Sequence, residues 1–159
     1  RRVIDLIDMQ KKIKVAVATR NQQDFMIIAR TDARTALGLD EALRRAEAYL
    51  AAGADALFVE SPETETELRQ IAEAFQGVPL VANMVAGGRT PMLPDQTLFE
   101  LGFQLVIHPT YLLGALTSGL EQGLAHLVAT GTENEQVAQF DRLNHWVDFE
   151  SIWALDEED

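Results

Sequence analysis

Two hydrophobic rhythms alternate along this chain. From Ile4 to Arg20 apolar residues recur at helical spacing. Phe25-Met26-Ile27-Ile28-Ala29 is then an unbroken apolar run, which predicts a strand buried on both faces. Leu39 to Ala52 returns to the helical rhythm: Leu43, Ala46 and Leu50 share a face, Asp40 is placed to cap the start, and Gly53 ends it. Ala56-Leu57-Phe58-Val59 predicts a second strand, Glu63 to Phe75 a helix closed by Gly77, and Pro79 to Ala82 a third strand. After a glycine-rich loop, a short helix from Pro94 to Leu101 stops at Gly102, and Phe103 to Ile107 reads as a fourth strand. Beyond Pro109 a long helical stretch reaches Thr130, and one or two more helices carry the chain to its acidic end.

The helix-ending glycines at 53, 77 and 102 recur about every 25 residues, each followed by an apolar strand. That is the length of one αβ unit, so the strands are expected to be parallel, with helical crossovers. Four such units are half of a closed (β/α)₈ barrel. An open doubly wound sheet has the same periodicity, but no strand is followed by the Gly-x-Gly-x-x-Gly turn of a dinucleotide fold. The expected fold class is therefore α/β, a (β/α)₈ barrel of which residues 1–131 supply the C-terminal half. Residues 132–159 form a helical extension whose Phe140, Leu143, Trp146, Phe149, Ile152 and Trp153 give an apolar face suited to a neighbouring subunit.

Composition narrows the class of partner. The 159 residues carry 25 acidic against 13 basic side chains, a formal charge of −12, and no basic stripe, which argues against nucleic acid. No apolar run is long enough to span a membrane. Cysteine is absent and the first residues do not read as a signal peptide, so a cytoplasmic setting is expected. The chain also opens without Met, which together with an unclosed barrel predicts a part of something longer.

In parallel α/β folds reactive groups gather at the C-terminal ends of strands. The four ends here read Ala29-Arg30-Thr31-Asp32, Val59-Glu60-Ser61-Pro62, Ala82-Asn83-Met84-Val85 with Gly87-Gly88-Arg89-Thr90-Pro91, and Ile107-His108-Pro109. Arg30 offers a fork of donors for a carboxylate or phosphonate, or else pairs with Asp32 or Glu60. Glu60 can orient water or accept a hydroxyl; Asn83 can donate to an oxygen gaining charge, or form a turn. His108 is a general acid/base candidate or a packed rim residue. His126 reads as solvated and His145, beside Trp146, as packing. The acidic run Glu63 to Glu67 reads as a solvated first helical turn rather than a metal site.

These segments, in this order from about residue 9 to 130, resemble the isocitrate lyase/phosphoenolpyruvate mutase family. The resemblance implies a Mg²⁺-dependent (β/α)₈-barrel enzyme acting through an enolate on small 2-oxo or 2-hydroxy acids or phosphonates. It implies that Arg30 holds a substrate carboxylate, Glu60 belongs to the shell around a metal-bound water, Asn83 binds a second carboxylate, and Thr90 helps a loop close. The family's aspartate-rich metal motif and its Lys-Arg-Cys-Gly-His loop are not in this sequence, so the Mg²⁺ ligands are expected in the missing first half and this chain alone is expected to be inactive. No arginine follows His108-Pro109 within Thr110 to Gly114, which argues against a tricarboxylate. His108 would suit an oxaloacetate decarboxylase-like variant. The expected activity is C–C cleavage of a small dicarboxylate, with phosphonate chemistry or a non-catalytic half-barrel as alternatives. By the same resemblance an oligomer with an exchanged C-terminal helix is implied.

Overall fold

The structure, a computed structural model, describes residues 2–22, 24–134 and 140–156. The chain divides into two compact units, residues 1–111 and 112–159. The first holds α1 (Leu6–Thr19), β1 (Ile28–Thr31), α2 (Ala33–Leu37), α3 (Leu39–Ala51), β2 (Ala56–Val59), α4 (Glu65–Ala74), β3 (Val81–Asn83), α5 (Asp95–Leu101) and β4 (Leu105–Ile107). Strands β1 and β2 pair in parallel from Ile28–Ala56 to Thr31–Val59, and β3 and β4 from Val81–Leu105 to Asn83–Ile107. A parallel bridge between Leu57 and Leu80, with Leu57 N–H donating to Pro79 O at 3.0 Å, joins the two pairs in the order β1-β2-β3-β4. The sequence order of the strands is thus their spatial order.

The core lies between the strands and the helices that connect them. Ala29, Leu57, Val59, Leu80, Ala82 and Met84 meet Ala42, Ala46 and Tyr49 of α3, Leu68 and Ile71 of α4, and Leu98 of α5. Small alanines on α3 bring that helix close to the sheet, while Leu57, Leu68 and Ile71, all 1% exposed, carry the apolar burial. Each contributes on the order of 1.5–3 kcal/mol.

The expected two-faced burial of the first strand is not what forms. Phe25 and Met26 precede β1 rather than belonging to it, and they are exposed, as is Ile28. Only alternate residues of β1, Ala29 and Thr31, are buried. On β1 the opposite face, with Ile28 and Arg30, is exposed, whereas on β2 and β3 residues of both faces are buried.

Helix starts also differ from expectation. Gly38 (φ 94°), not Asp40, is the N-cap of α3, and no side chain caps it. Helix α4 begins two residues later than predicted: Thr64 Oγ1 accepts from Glu67 N–H at 3.1 Å, and Glu67 Oε2 accepts from Glu63 N–H at 2.8 Å. Glu67 thus helps to cap the start of α4, while Glu63 to Thr66 remain exposed, as the reading of a solvated first turn expects. Glu65 remains at the surface with Arg69, but Glu63 and Glu67 both turn to Arg34.

The second unit holds α6 (Tyr111–Thr130, which starts at the boundary), α7 (Phe140–Trp146) and α8 (Phe149–Asp156). No residue of α6 is buried. Asp148 (φ 55°) turns the chain between α7 and α8. His145 is exposed rather than packed, and His126 is half-buried rather than fully solvated. Phe140, Trp146, Ile152 and Trp153 are each more than half exposed. Among the described residues, no helix is long and apolar enough to cross a membrane.

Candidate active site

Three of the four strand ends build one cavity. It has a volume of about 370 Å³ and is lined by Arg30, Glu60, Ser61, Asn83, Val85, Gly88, Arg89 and Thr90. That is within the usual range for a small-molecule site. A larger hollow of about 500 Å³ lies beside the end of α1, around Ala16, Arg20, Phe25 and Ile27. Its one charged side chain, Arg20, is tied to Asp55, so it lacks convergent groups for chemistry.

Arg30 leaves the end of β1 and is held on three sides. Its Nε and Nη2 each donate to a different oxygen of Asp32 at 3.0 Å, and Nη2 lies 3.3 Å from Glu60 Oε2. The guanidinium carbon sits 4.7 Å from the centre of the Phe58 ring. The hydrogen bonds to Asp32, followed by the charge of Glu60, raise the Arg30 pKa above its ordinary value against the opposing effect of burial. Both ion-pair partners weighed from the sequence are therefore real, and they orient the guanidinium while leaving its side chain 42% exposed to a ligand.

Glu60 is held more deeply. The residue is 7% exposed, and its N–H donates to Thr31 O at 3.0 Å, which fixes the end of β2 against β1. Ser61 Oγ donates to Glu60 Oε1 at 3.2 Å, and Asn83 Nδ2 donates to Glu60 Oε2 at 3.4 Å. Ser61 itself has φ 60°, a left-handed conformation that a serine adopts only at some cost, of order 1–3 kcal/mol. Asn83 Oδ1 is buried without a hydrogen-bond partner, while the amide nitrogen of the same side chain faces Glu60. An unmet acceptor calls for a hydroxyl or water rather than a bare carboxylate oxygen.

The loop after β3 closes one side. Gly88 N–H donates to Val85 O at 2.9 Å, making a tight turn that presents Arg89 and Thr90. His108 does not join them: its Nε2 lies 2.9 Å from Asp95 Oδ1 at the start of α5, and it does not line the cavity. The cavity thus unites Arg30, Glu60, Asn83 and Thr90 of the residues expected from the sequence and leaves His108 outside. It adds Ser61 and Arg89. Arg89 was legible as a cation beside a glycine pair; the positive φ of Ser61 had no signal in its residue type.

Mg²⁺ prefers several oxygen ligands in near-octahedral arrangement. Among the described residues no three His, Cys, Asp or Glu side chains cluster so as to hold a metal ion. The cavity contributes one carboxylate, Glu60, and that group already faces Arg30, Ser61 and Asn83. These residues alone do not fit a magnesium centre. Arg30, Asp32 and Glu60 together carry one net negative charge, so an anionic ligand would require further positive charge beside them.

The phosphoenolpyruvate phosphomutase family model matches residues 1–128. The chain belongs to this family. Over 110 residues this family member is 54% identical to 2,3-dimethylmalate lyase of Eubacterium barkeri, a match covering 69% of this chain and 38% of that protein. The solved structure of oxaloacetate acetylhydrolase with the product oxalate superposes with a TM-score of 0.87 at 25% identity, covering 99% of this chain and 56% of that one. Phosphonopyruvate hydrolase in complex with oxalate and Mg²⁺ gives a TM-score of 0.81 at 27% identity, covering 98% and 56%. The chain spans between 38% and 56% of the length of these relatives. The parallel strands accordingly belong to a (β/α)₈ barrel of this superfamily, of which the chain forms a part, and the open-sheet alternative falls away.

Proposed function

We propose that this chain is the substrate-gripping part of a lyase that cleaves a C–C bond in a small 2-oxo or 2-hydroxy dicarboxylic acid. The observation that carries the reading is the convergence of Arg30, Glu60, Asn83 and Thr90 on one cavity at the strand ends. Arg30, already oriented by Asp32 and Glu60, holds one substrate carboxylate. For a 2-hydroxy acid, Asn83 Oδ1 accepts from the substrate hydroxyl once the side chain shifts to uncover it, which differs from the second-carboxylate role implied by the resemblance. Glu60, poised by Ser61 and Asn83, orients a water or accepts a proton during cleavage. Thr90 closes the loop over the bound acid. His108 is given no step.

The names of the relatives support this substrate class, since they include 2,3-dimethylmalate lyase and oxaloacetate acetylhydrolase. Magnesium dependence is part of the proposal, supported by the Mg²⁺-bound phosphonopyruvate hydrolase, with ligands outside residues 1–159. A metal held there would supply the positive charge that the Arg30 cluster lacks. We also propose that the exposed apolar side chains of α7 and α8 meet another subunit.

The test is a turnover panel on the whole protein, with and without Mg²⁺, using 2,3-dimethylmalate, 2-methylisocitrate, oxaloacetate and phosphonopyruvate. Metal-dependent cleavage of a dicarboxylate, lost by about 100-fold or more in Arg30→Ala, is the expected result. Turnover of phosphonopyruvate alone would overturn C–C cleavage in favour of phosphonate chemistry. Near-normal turnover by Arg30→Ala would remove Arg30 from the site.

A further inference from the structure

Arg30 is not the cavity's only cation. Arg89 lines the same space, and its bonding is of a different kind. Arg30 is clamped by a bidentate pair with Asp32 and a contact to Glu60. Arg89 has one long ion pair, Nη1 to Glu63 Oε1 at 3.4 Å, with both side chains well exposed. Such a pair contributes little, about 0–1 kcal/mol or less. Glu63 does not depend on it, because the same Oε1 lies 2.5 Å from Arg34 Nη1, and Arg34 also grips Glu67. Arg89 can therefore swing from Glu63 to a ligand without stranding a carboxylate.

Its backbone, by contrast, is fixed. Gly87 has φ 73°, a conformation that favours glycine, and a Cβ at Gly88 would stand 2.9 Å from Val85 O. The turn places Arg89 at the cavity while its side chain remains free to move. A planar fork on a mobile stem suits capture of a second carboxylate, which Asn83 Oδ1, an acceptor, does not.

We infer that Arg89 recognises the second acidic group of the substrate and so confines this site to dianionic acids. The inference rests on the proposed reading of the cavity as a dicarboxylate site. Glu63 holds the arginine before a ligand binds, and Arg34 keeps Glu63 paired when the arginine moves.

The test is direct binding to the whole protein, by calorimetry, of 2,3-dimethylmalate and of 2-hydroxybutyrate, a hydroxy acid with one carboxylate. Arg89→Gln should weaken the dicarboxylate about 10- to 100-fold, as loss of a charge-assisted contact does, and leave the monocarboxylate within about twofold. Arg89→Lys, which keeps the charge but not the fork, should recover part of the loss. Equal weakening of both acids by Arg89→Gln would overturn the inference and make Arg89 a loop-shaping residue. Unchanged binding of both would overturn it by placing Arg89 outside recognition. Wild-type protein that binds neither acid overturns the dicarboxylate reading itself, a failure visible before any substitution is made.

Discussion

The pairing of Arg30 with Glu60 can be measured separately from any activity. Glu60 is 7% exposed, too buried for water to replace a lost cation fully. Arg30→Met keeps length and cover over Phe58 but leaves this carboxylate without its guanidinium. Removing one partner of a fully buried pair costs about 3–5 kcal/mol. Here the Arg30 side chain is 42% exposed, and Ser61 and Asn83 still donate to the carboxylate, so about 2 kcal/mol is expected. Glu60→Gln should cost about 1 kcal/mol, because Arg30 retains its bidentate bond to Asp32. The double variant removes the stranded charge together with its partner, so its loss should fall short of the sum by about 1 kcal/mol or more. The assay is urea unfolding of the whole protein and of the three variants, comparing midpoints at constant slope. Losses that add within about 0.5 kcal/mol would refute the coupling and with it the view that Glu60 orients Arg30.

Other substitutions probe the scaffold around the cavity. Asp55 Oδ2 accepts from Ile27 N–H at 2.7 Å and from Arg20, and these bonds, the backbone one foremost, hold its carboxyl below the ordinary aspartate value of 3.8. Asp55→Ala should destabilise by about 1–3 kcal/mol. A depressed folded-state pKa means that this advantage of the wild type is full above pH 3.8 and shrinks as pH falls through the folded value; a thermal-unfolding difference that grows on acidification would contradict it. Leu57→Ala should cost about 2–5 kcal/mol in urea unfolding, and a loss below 1 kcal/mol would mean that this side chain is not packed in the core. Gly88→Ala must push against the Val85 carbonyl, so about 1–3 kcal/mol of stability should be lost, with weaker dicarboxylate binding by calorimetry as Arg89 is displaced; wild-type values for both would show the turn to be loose.

Much of the architecture was written into the order of residues. Apolar runs of strand length separated by helical rhythms predicted four parallel strands, and the glycines at 53, 77 and 102 marked where helices stop, two of them, 53 and 102, with φ above 100°. Period and chain punctuation are local properties, so a single sequence carries them. The element boundaries were less legible. Helix α2 went unread because Ala33 to Leu37, five residues between β1 and Gly38, is too short to show a helical period, and β1 itself starts three residues later than its apolar run. Hydrophobicity marks where a strand can be buried, whereas pairing with β2 decides where it is.

The sequence by itself determined the α/β class, the parallel strands and the placing of Arg30, Glu60 and Asn83 at strand ends, because residue spacing along a strand sets which end a side chain reaches. Which of those side chains share a space was decided only by the tertiary structure. His108 has the same strand-end position as the others, yet Asp95 from α5 draws it away, and Arg89 joins the cavity from a loop through a turn that Gly87 and Gly88 permit. Glu63 and Glu67, indistinguishable from a solvated acidic run in one dimension, become the partners of Arg34 once the fold brings the start of α4 to that side chain. Charge–charge attraction falls off with separation and deepens with burial, and neither quantity exists until the chain has folded.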